Sequence, residues 1–204
     1  MYMKWDAANE AVEHVRRDER LYLPPLTERE GFCSTRVEHL LRTLRLTCPV
    51  EEDYLEVGVL EGRTLTAVAG ANFGHCIGVD PCEKYGICPS FKQSNITFLQ
   101  KPWEELTRVD VPRPIGVLFY DGDHEYKSTY GALTRLEFLL ADEAVVVVDD
   151  WDRTIVRDAV FAVLRNKPNW RMLRELPEYT GGPNNRPNYV GFYYGLAVLG
   201  VKRT

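Results

Sequence analysis

The chain has 204 residues, of which 45% are hydrophobic and 27% charged, a composition typical of one globular domain that excludes a disordered chain. Its net charge is −5 and its pI about 5.5, so no overall basic surface favours nucleic acid as a partner. No segment approaches the ~18 unbroken apolar residues of a membrane span, and residues 1–20 lack the apolar core of a secretory signal. We therefore expect a cytoplasmic protein that binds no membrane.

The cysteines also favour a cytoplasmic protein. They are odd in number and lack CxxC spacing, which indicates reduced thiols and neither a disulfide framework nor a zinc site. Cys82 and Cys88 are close in sequence, but we expect no bridge between them.

The first predicted elements are helical. Residues 1–49 are interpreted as an N-terminal helical segment that packs on the site or covers it, with an amphipathic helix at 36–46. Residues 53–59 are predicted to form a strand, followed from Arg63 by an amphipathic helix that stops at Gly74.

Further apolar runs alternate with helical patterns. Strands are predicted at 75–80, 95–99, 115–121 and 144–150, and their near-continuous apolar character is typical of a parallel sheet covered on both faces. Between the last two, apolar residues spaced by three and four from Tyr126 to Leu140 predict a helix.

A second helix of this kind is predicted at 155–164, and the tail from residue 170 predicts a hairpin at one sheet edge. This pattern predicts a single-domain α/β fold. The expected architecture is a Rossmann-like, doubly wound, mostly parallel sheet with a C-terminal antiparallel hairpin.

Acidic side chains follow two of the predicted strands. The run "VLFYDGDHEY" ends its apolar part at Asp121, and "AVVVVDDWD" ends its apolar part at Asp149 and Asp150. Because neighbouring strands lie ~5 Å apart, these three carboxylates would crowd one another, which raises a pKa or recruits a cation. Three oxygen ligands, completed by water, suit Mg²⁺ or Ca²⁺.

Glycines mark the turn after the first strand. In "YLEVGVLEGRT", Gly58 and Gly62 give GxxxG instead of GxGxxG, which favours a ligand without a pyrophosphate. Asp80 ends the next strand, where a carboxylate can accept both hydroxyls of a ribose.

Together, these motifs resemble the class I S-adenosylmethionine-dependent methyltransferases, above all the bacterial branch of sugar and macrolide O-methyltransferases and their methyltransferase-24 relatives. The resemblance covers about residues 50–165 and is carried by "LEVGVLEGRT", "IGVDP" and "YDGDHEYKSTYGALTRLEFLL…VVVVDDW". It implies that residues 50–204 form a methyltransferase domain. It also implies S-adenosylmethionine as cofactor and a small-molecule acceptor, with a hydroxyl oxygen as the expected methyl-accepting atom.

The resemblance also assigns the cofactor contacts. The methionine moiety would be surrounded by the first strand end, the ribose held by Asp80, the adenine placed beside "KPW", and Asp121 would face the ammonium group. The implied cofactor-binding residues are Glu56, Gly58, Glu61, Gly62, Asp80, Lys101, Pro102, Trp103 and Asp121. Some relatives bind a divalent ion through Asp121, Asp149 and Asp150, and others use no metal.

The catalytic candidates are His124 and Asp121. The imidazole of His124 is suited to proton abstraction, although a histidine beside acids is more often their charged partner. Without a metal, Asp150 would bond loop amides and Asp152 would cap the following helix.

Other functions stay open at this point. The "DGD" string also fits a metal-dependent nucleotide-sugar glycosyltransferase, and a cofactor-binding module without catalysis is the third hypothesis. The loop at 180–188 could cover the acceptor, and the helix at 36–46 could form a homodimer face.

Overall fold

The computed structural model describes residues 4–17, 25–28, 31, 33–71, 74–83, 89–177, 192 and 194–203. Within these residues the chain forms seven strands, numbered in chain order: β1 Asp53–Val57, β2 Cys76–Val79, β3 Ile96–Leu99, β4 Ile115–Tyr120, β5 Leu140–Val148, β6 Trp170–Leu176 and β7 Leu196–Lys202. The α-helices of the same residues are α1 Lys4–Arg17, α2 Thr35–Leu46, α3 Arg63–Ala69, α4 Tyr126–Arg135 and α5 Thr154–Asn166.

All seven strands belong to one sheet in the order β3-β2-β1-β4-β5-β7-β6. The first five are parallel, whereas β7 runs antiparallel to both β5 and β6. The predicted α/β fold with a C-terminal antiparallel hairpin is therefore confirmed. The hairpin is turned so that its second strand, β7, lies beside β5.

Helices cover both faces of the sheet because the central strands are apolar on both sides. Side chains of a strand alternate between the two faces. Tyr54 and Val117 point toward α1, α2 and α3, while Leu55 and Leu118 pack with α4 and α5. The ends of β1, β2, β4 and β5 are thus held rigidly in register.

Several element bounds differ from the predictions, most of all those of β5 and of the helices that precede β2 and β5. β5 begins at Leu140, four residues earlier than predicted, and a short 3-10 turn at Leu136–Leu139 replaces the last turn of the predicted helix. Helix α3 ends at Ala69, where the N–H of Gly70 bonds the carbonyl of Thr66. Residues 72 and 73 of the predicted helix lie outside the described residues.

The N-terminal helices pack against the sheet. Ser34 caps α2 by accepting a hydrogen bond from the N–H of Val37, and α2 packs on α3 while α1 packs on α2, β5 and β6. In the described part of the chain, Cys33, Cys48, Cys76 and Cys82 are free thiols, and Cys88 lies outside it. No helix of that part is long and apolar enough to cross a membrane.

Candidate active site

A cavity of about 670 Å³ opens at the carboxyl edge of the sheet. This is the size of a small-molecule site, at the place where open α/β sheets bind ligands. Its wall comes from the ends of β1, β2, β4 and β5, from the turn at 102–104, and from Gly31, Cys33 and Tyr194.

The backbone around this cavity is strained. Among the described residues, three that are not glycine have positive φ, namely Leu60 (47°), Cys82 (62°) and Asp150 (55°), and all three line the cavity. Such conformations are costly for L-residues and concentrate at functional sites. The turns after β1, β2 and β5 therefore each place one residue with a strained backbone in the cavity wall.

Gly58 is required where β1 meets β4. Its φ is 86°, and a Cβ added there would lie 1.9 Å from the carbonyl oxygen of Asp121. Gly62 has φ 81°, and its Cβ would meet the ring of Phe91 at 2.5 Å. Gly58 lines the cavity, as does Glu61, whereas Gly62 is not part of its lining. Gly62 thus shapes the turn from outside the cavity.

Asp80 holds the glycine turn through its carboxylate. One oxygen accepts hydrogen bonds from the N–H groups of Val59 (2.9 Å) and Leu60 (3.0 Å), and the other accepts from the N–H of Cys82 (2.7 Å). These bonds join the ends of β1 and β2 at the cavity. Because an ionised carboxylate has about four acceptor sites, three amides leave about one for a ligand hydroxyl. Asp80 lines the cavity, and its contact with a ribose stays a prediction.

The three residues predicted beside adenine are separated. Pro102 and Trp103 line the cavity. Lys101 does not, because its ammonium bonds the carboxylate of Asp110 at 2.7 Å. The predicted contact of Lys101 with the cofactor is therefore not supported by this arrangement.

Glu56 is also outside the cavity lining. Its position on β1 puts it on the same face as Tyr54, beneath α3, where its carboxyl accepts hydrogen bonds from the hydroxyls of Tyr54 (2.7 Å) and Thr64 (2.5 Å). Burial raises the pKa of Glu56 to about 7 despite these two hydrogen bonds. In the structure Glu56 supports the turn from below, and its contact with the cofactor stays a prediction.

Asp121 and Asp149 form a close pair of carboxyls, as predicted from neighbouring strand ends. Burial first, and then the charge of Asp149, raises the pKa of Asp121 well above its usual range. Burial, followed by the charge of Asp150, raises the pKa of Asp149 to about 7. Oδ1 of Asp149 is buried without a hydrogen-bond partner among the described residues. Both residues line the cavity, and their raised pKa values mean that the pair takes up a proton more readily than exposed carboxylates do.

Asp150 points to other partners. Its Oδ2 forms an ion pair with Nε of Arg153 at 2.7 Å and lies 3.3 Å from Nε2 of His124. In the part of the chain that the structure describes, no three acidic, histidine or cysteine side chains are placed to hold a metal ion. The arrangement does not fit the predicted magnesium site on Asp121, Asp149 and Asp150, because the third carboxylate is bound to Arg153.

The alternative role predicted for Asp152 is wrong. Helix α5 begins after Arg153, which has no side-chain capping bond, so Asp152 is not its cap.

Several cavity residues were missed from the sequence. Arg63 and Arg153 follow predicted motif residues directly, so their proximity was a usable signal, whereas nothing local marks Cys33 or Tyr194. The thiol of Cys33 has a raised pKa, chiefly because of burial and then because of the charges of Asp149 and Asp121. Cys33 is therefore not an activated nucleophile.

Residues 55–151 match the methyltransferase-24 family model, described as a methyltransferase domain. A comparison with curated proteins finds no match. Among solved structures, an O-methyltransferase from Bacillus cereus in complex with SAH (S-adenosylhomocysteine) shares 13% identity at a TM-score of 0.59, covering 97% of this chain and 91% of that chain.

Two further structures are similar. An SAH-bound methyltransferase from Podospora anserina has 15% identity and a TM-score of 0.57, with 98% of this chain and 88% of that chain covered. A TDP-rhamnose 3′-O-methyltransferase of calicheamicin biosynthesis has 16% identity and a TM-score of 0.53, with 78% and 76% covered. At these identities the likeness shows a shared fold. Together with the family match over residues 55–151, it makes the chain similar to the class I S-adenosylmethionine-dependent methyltransferases of the methyltransferase-24 branch.

Proposed function

We propose that this protein transfers the methyl group of S-adenosylmethionine to a hydroxyl oxygen of a small-molecule acceptor, without nucleic acid or a membrane as partner. The observation that carries the proposal is the charge of the cavity at the sheet edge. Its described lining holds two arginines and seven carboxyl groups, from Glu61, Asp80, Glu104, Asp121, Asp123, Asp149 and Asp150. S-adenosylmethionine bears a sulfonium and an ammonium group, so an acidic cavity suits it.

The lining gives the cofactor a direction. Asp80 and the Pro102–Trp103 turn lie on the β2 side, where they would receive the ribose and adenine. Asp121 follows β4, where its carboxyl would face the ammonium group of the methionine moiety. The sulfonium methyl would then point toward the β5 side, which His124 and Asp150 line.

His124 and Asp121 are the proposed catalytic residues. Asp150 lies beside the imidazole of His124 and would orient it, as an acid orients the base in many nucleophile-activating sites. His124 would accept the proton of the acceptor hydroxyl as the methyl group is transferred in line. Most of the rate gain would come from holding the hydroxyl at near-attack distance from the methyl carbon.

The oxygen acceptor is inferred from the names of two similar structures, an O-methyltransferase and a sugar 3′-O-methyltransferase. Magnesium assistance would require Asp150 to leave Arg153 and turn toward Asp121 and Asp149. We therefore propose transfer without a metal, and no step of the mechanism passes through one.

The test is an assay of S-adenosylhomocysteine formation with acceptors bearing sugar hydroxyls, phenols or amines. We expect methylation of at least one hydroxylated acceptor, and mass spectrometry of the product to place the methyl group on oxygen. His124→Asn should lower kcat while leaving cofactor affinity unchanged. The matched control His14→Asn, on the exposed side of α1, should leave both unchanged.

Other outcomes would select another function. Methylation of amines alone would overturn the oxygen acceptor. Cofactor binding without turnover on any acceptor would favour the non-catalytic module. Binding of a UDP-sugar with Mn²⁺, and of no adenosyl ligand, would favour the glycosyltransferase.

A further inference from the structure

Arg63 places a guanidinium in the cavity wall directly after the glycine turn. Its side chain is only 14% exposed, and its Nε donates a hydrogen bond to Oε1 of Glu38 at 2.6 Å. Among the described residues, no partner accepts from its two terminal nitrogens, which carry four of its five N–H donors. A largely buried cation with most of its donors unused is a binding group for an anion.

Glu38 fixes how this guanidinium is presented. The Glu38 side chain is fully buried in α2, and its second oxygen accepts a hydrogen bond from the N–H of Leu26 at 2.7 Å. Held from both sides, Glu38 has little freedom to turn. Because it engages Nε of Arg63, the two terminal nitrogens are left to face a ligand together, which is the bidentate geometry that a carboxylate matches.

The N-terminal segment closes over the same place. Gly31 passes so near Arg63 that an added Cβ would lie 2.9 Å from the Cβ of Arg63. Cys33 lies within the electrostatic reach of Asp121, Asp149 and Arg63 at once. Arg63 and the acidic pair therefore both lie near Cys33 in the lining of one cavity, which offers a cation and carboxyls to the two charges of an amino acid.

The described lining contains a second arginine, Arg153, which follows a different strand of the sheet from Arg63. Arg63 follows β1, the neighbour of β2 and Asp80, whereas Arg153 follows β5, three strands from β2. At about 4.8 Å per strand, β1 lies roughly 5 Å and β5 roughly 14 Å from β2. The α-carbon of the methionine moiety is three bonds from sulfur, so its carboxylate fits the nearer arginine.

We propose that Arg63, oriented by Glu38, binds the α-carboxylate of the cofactor's methionine moiety. This inference rests on the proposed function, because it takes the cofactor as S-adenosylmethionine bound with its ribose at Asp80. Arg63 is then a binding residue, and Glu38 a positioning residue that acts through it.

The test compares two ligands that differ by this carboxylate alone: S-adenosylhomocysteine and its decarboxylated analogue, the adenosyl thioether of 3-aminopropanethiol. Calorimetry on the wild-type protein should show tighter binding of S-adenosylhomocysteine by about 10- to 100-fold, as expected for one charge-assisted pair. The double variant Glu38→Gln/Arg63→Met, which leaves no stranded buried charge, should bind the two ligands within about threefold of each other.

Two further variants sharpen the result. Arg153→Met should keep the wild-type preference, and Glu38→Gln alone should reduce it while Arg63 remains. Because each variant is judged by the ratio of two affinities, a general loss of stability cancels.

The outcomes separate this inference from the function on which it rests. A wild-type preference retained in the Arg63 variant, or lost in the Arg153 variant, would overturn the role of Arg63 with the cofactor assignment intact. Failure of the wild-type protein to bind either adenosyl ligand would overturn the proposed function itself.

Discussion

Replacing Glu56 by glutamine should remove a pH dependence from the free energy of unfolding. The carboxyl is fully buried, and burial raises its pKa from 4.5 to about 7. Between these values the unfolded chain releases the proton and the folded protein keeps it, so the wild-type stability is full at low pH and falls as pH rises through about 7. Glutamine is neutral in both states, so the variant escapes this loss.

The magnitude follows from the two pKa values. One pKa unit is worth about 1.36 kcal/mol, so the full loss is roughly 3 kcal/mol, most of which falls between pH 5 and pH 8. We expect the stability of Glu56→Gln, measured relative to wild type, to rise by most of that amount over this range. Glutamine keeps the shape of the protonated acid and one oxygen acceptor for the Tyr54 or Thr64 hydroxyl.

Urea denaturation at several pH values, followed by tryptophan fluorescence, measures this difference. Asp121 and Asp149 also have raised pKa values and are present in both proteins, so their contributions largely cancel; the charge of Glu56 is a lesser cause of the raised pKa of Asp121, after burial and Asp149. The exposed control Glu51→Gln should leave the pH dependence of wild type unchanged. Parallel stability curves for wild type and Glu56→Gln would refute a raised pKa at this carboxyl.

Three further predictions concern the cavity. Asp80→Asn should weaken S-adenosylhomocysteine binding by about 10- to 100-fold in calorimetry, whereas the exposed Asp142→Asn should not; equal affinities would remove Asp80 from the site. Excess EDTA should leave methyl transfer unchanged, because Asp150 bonds Arg153; a magnesium-dependent rise in Tm would restore the metal hypothesis. Gly58→Ala should lower Tm sharply, because the added Cβ would clash with the carbonyl oxygen of Asp121. The control Gly70→Ala, whose Cβ would make only ordinary contacts, should not lower Tm in this way. Similar Tm values for the two variants would contradict the close packing of Gly58 against Asp121.

The sheet could be predicted from sequence because its strands are buried on both faces. Such strands are nearly continuous apolar runs, which stand out against the amphipathic helices. The start of β5 was missed because Asp142 and Glu143 interrupt its apolar run, and there β5 is exposed and pairs with the end of β7. The polar residues gave no sign of a strand there, because its pairing with β7 depends on residues about 60 positions further along the chain.

The site was predictable to the extent that strand ends define it. Asp80, Asp121 and Asp149 follow strands, so the sheet alone brings them to one edge. Glu56 lies outside the cavity lining because strand alternation places it with Tyr54 on the α3 face, and this period of two was present in the sequence. Lys101 lies outside the cavity lining, and its ammonium bonds Asp110, nine residues further along the chain.

The sequence predicts an N-terminal segment that packs on the site or covers it, but not which of its residues reach the cavity. Cys33 and Gly31 reach the cavity only because α2 packs on α3 and Glu38 bonds Arg63 across 25 residues. Helical periodicity predicts that α2 has a buried face, but not which element it meets. The burial of Glu38 could indicate a structural role only once its partner Arg63 was known from the structure.

The central claim is that the adenosyl cofactor occupies the cavity at the carboxyl edge of the sheet. A crystal structure of the protein with S-adenosylhomocysteine measures this directly. The account predicts density with the ribose at Asp80, the adenine beside Trp103 and the sulfur toward Asp121 and Asp149. Density for the ligand at another surface, with this cavity holding only solvent at saturating ligand, would contradict it.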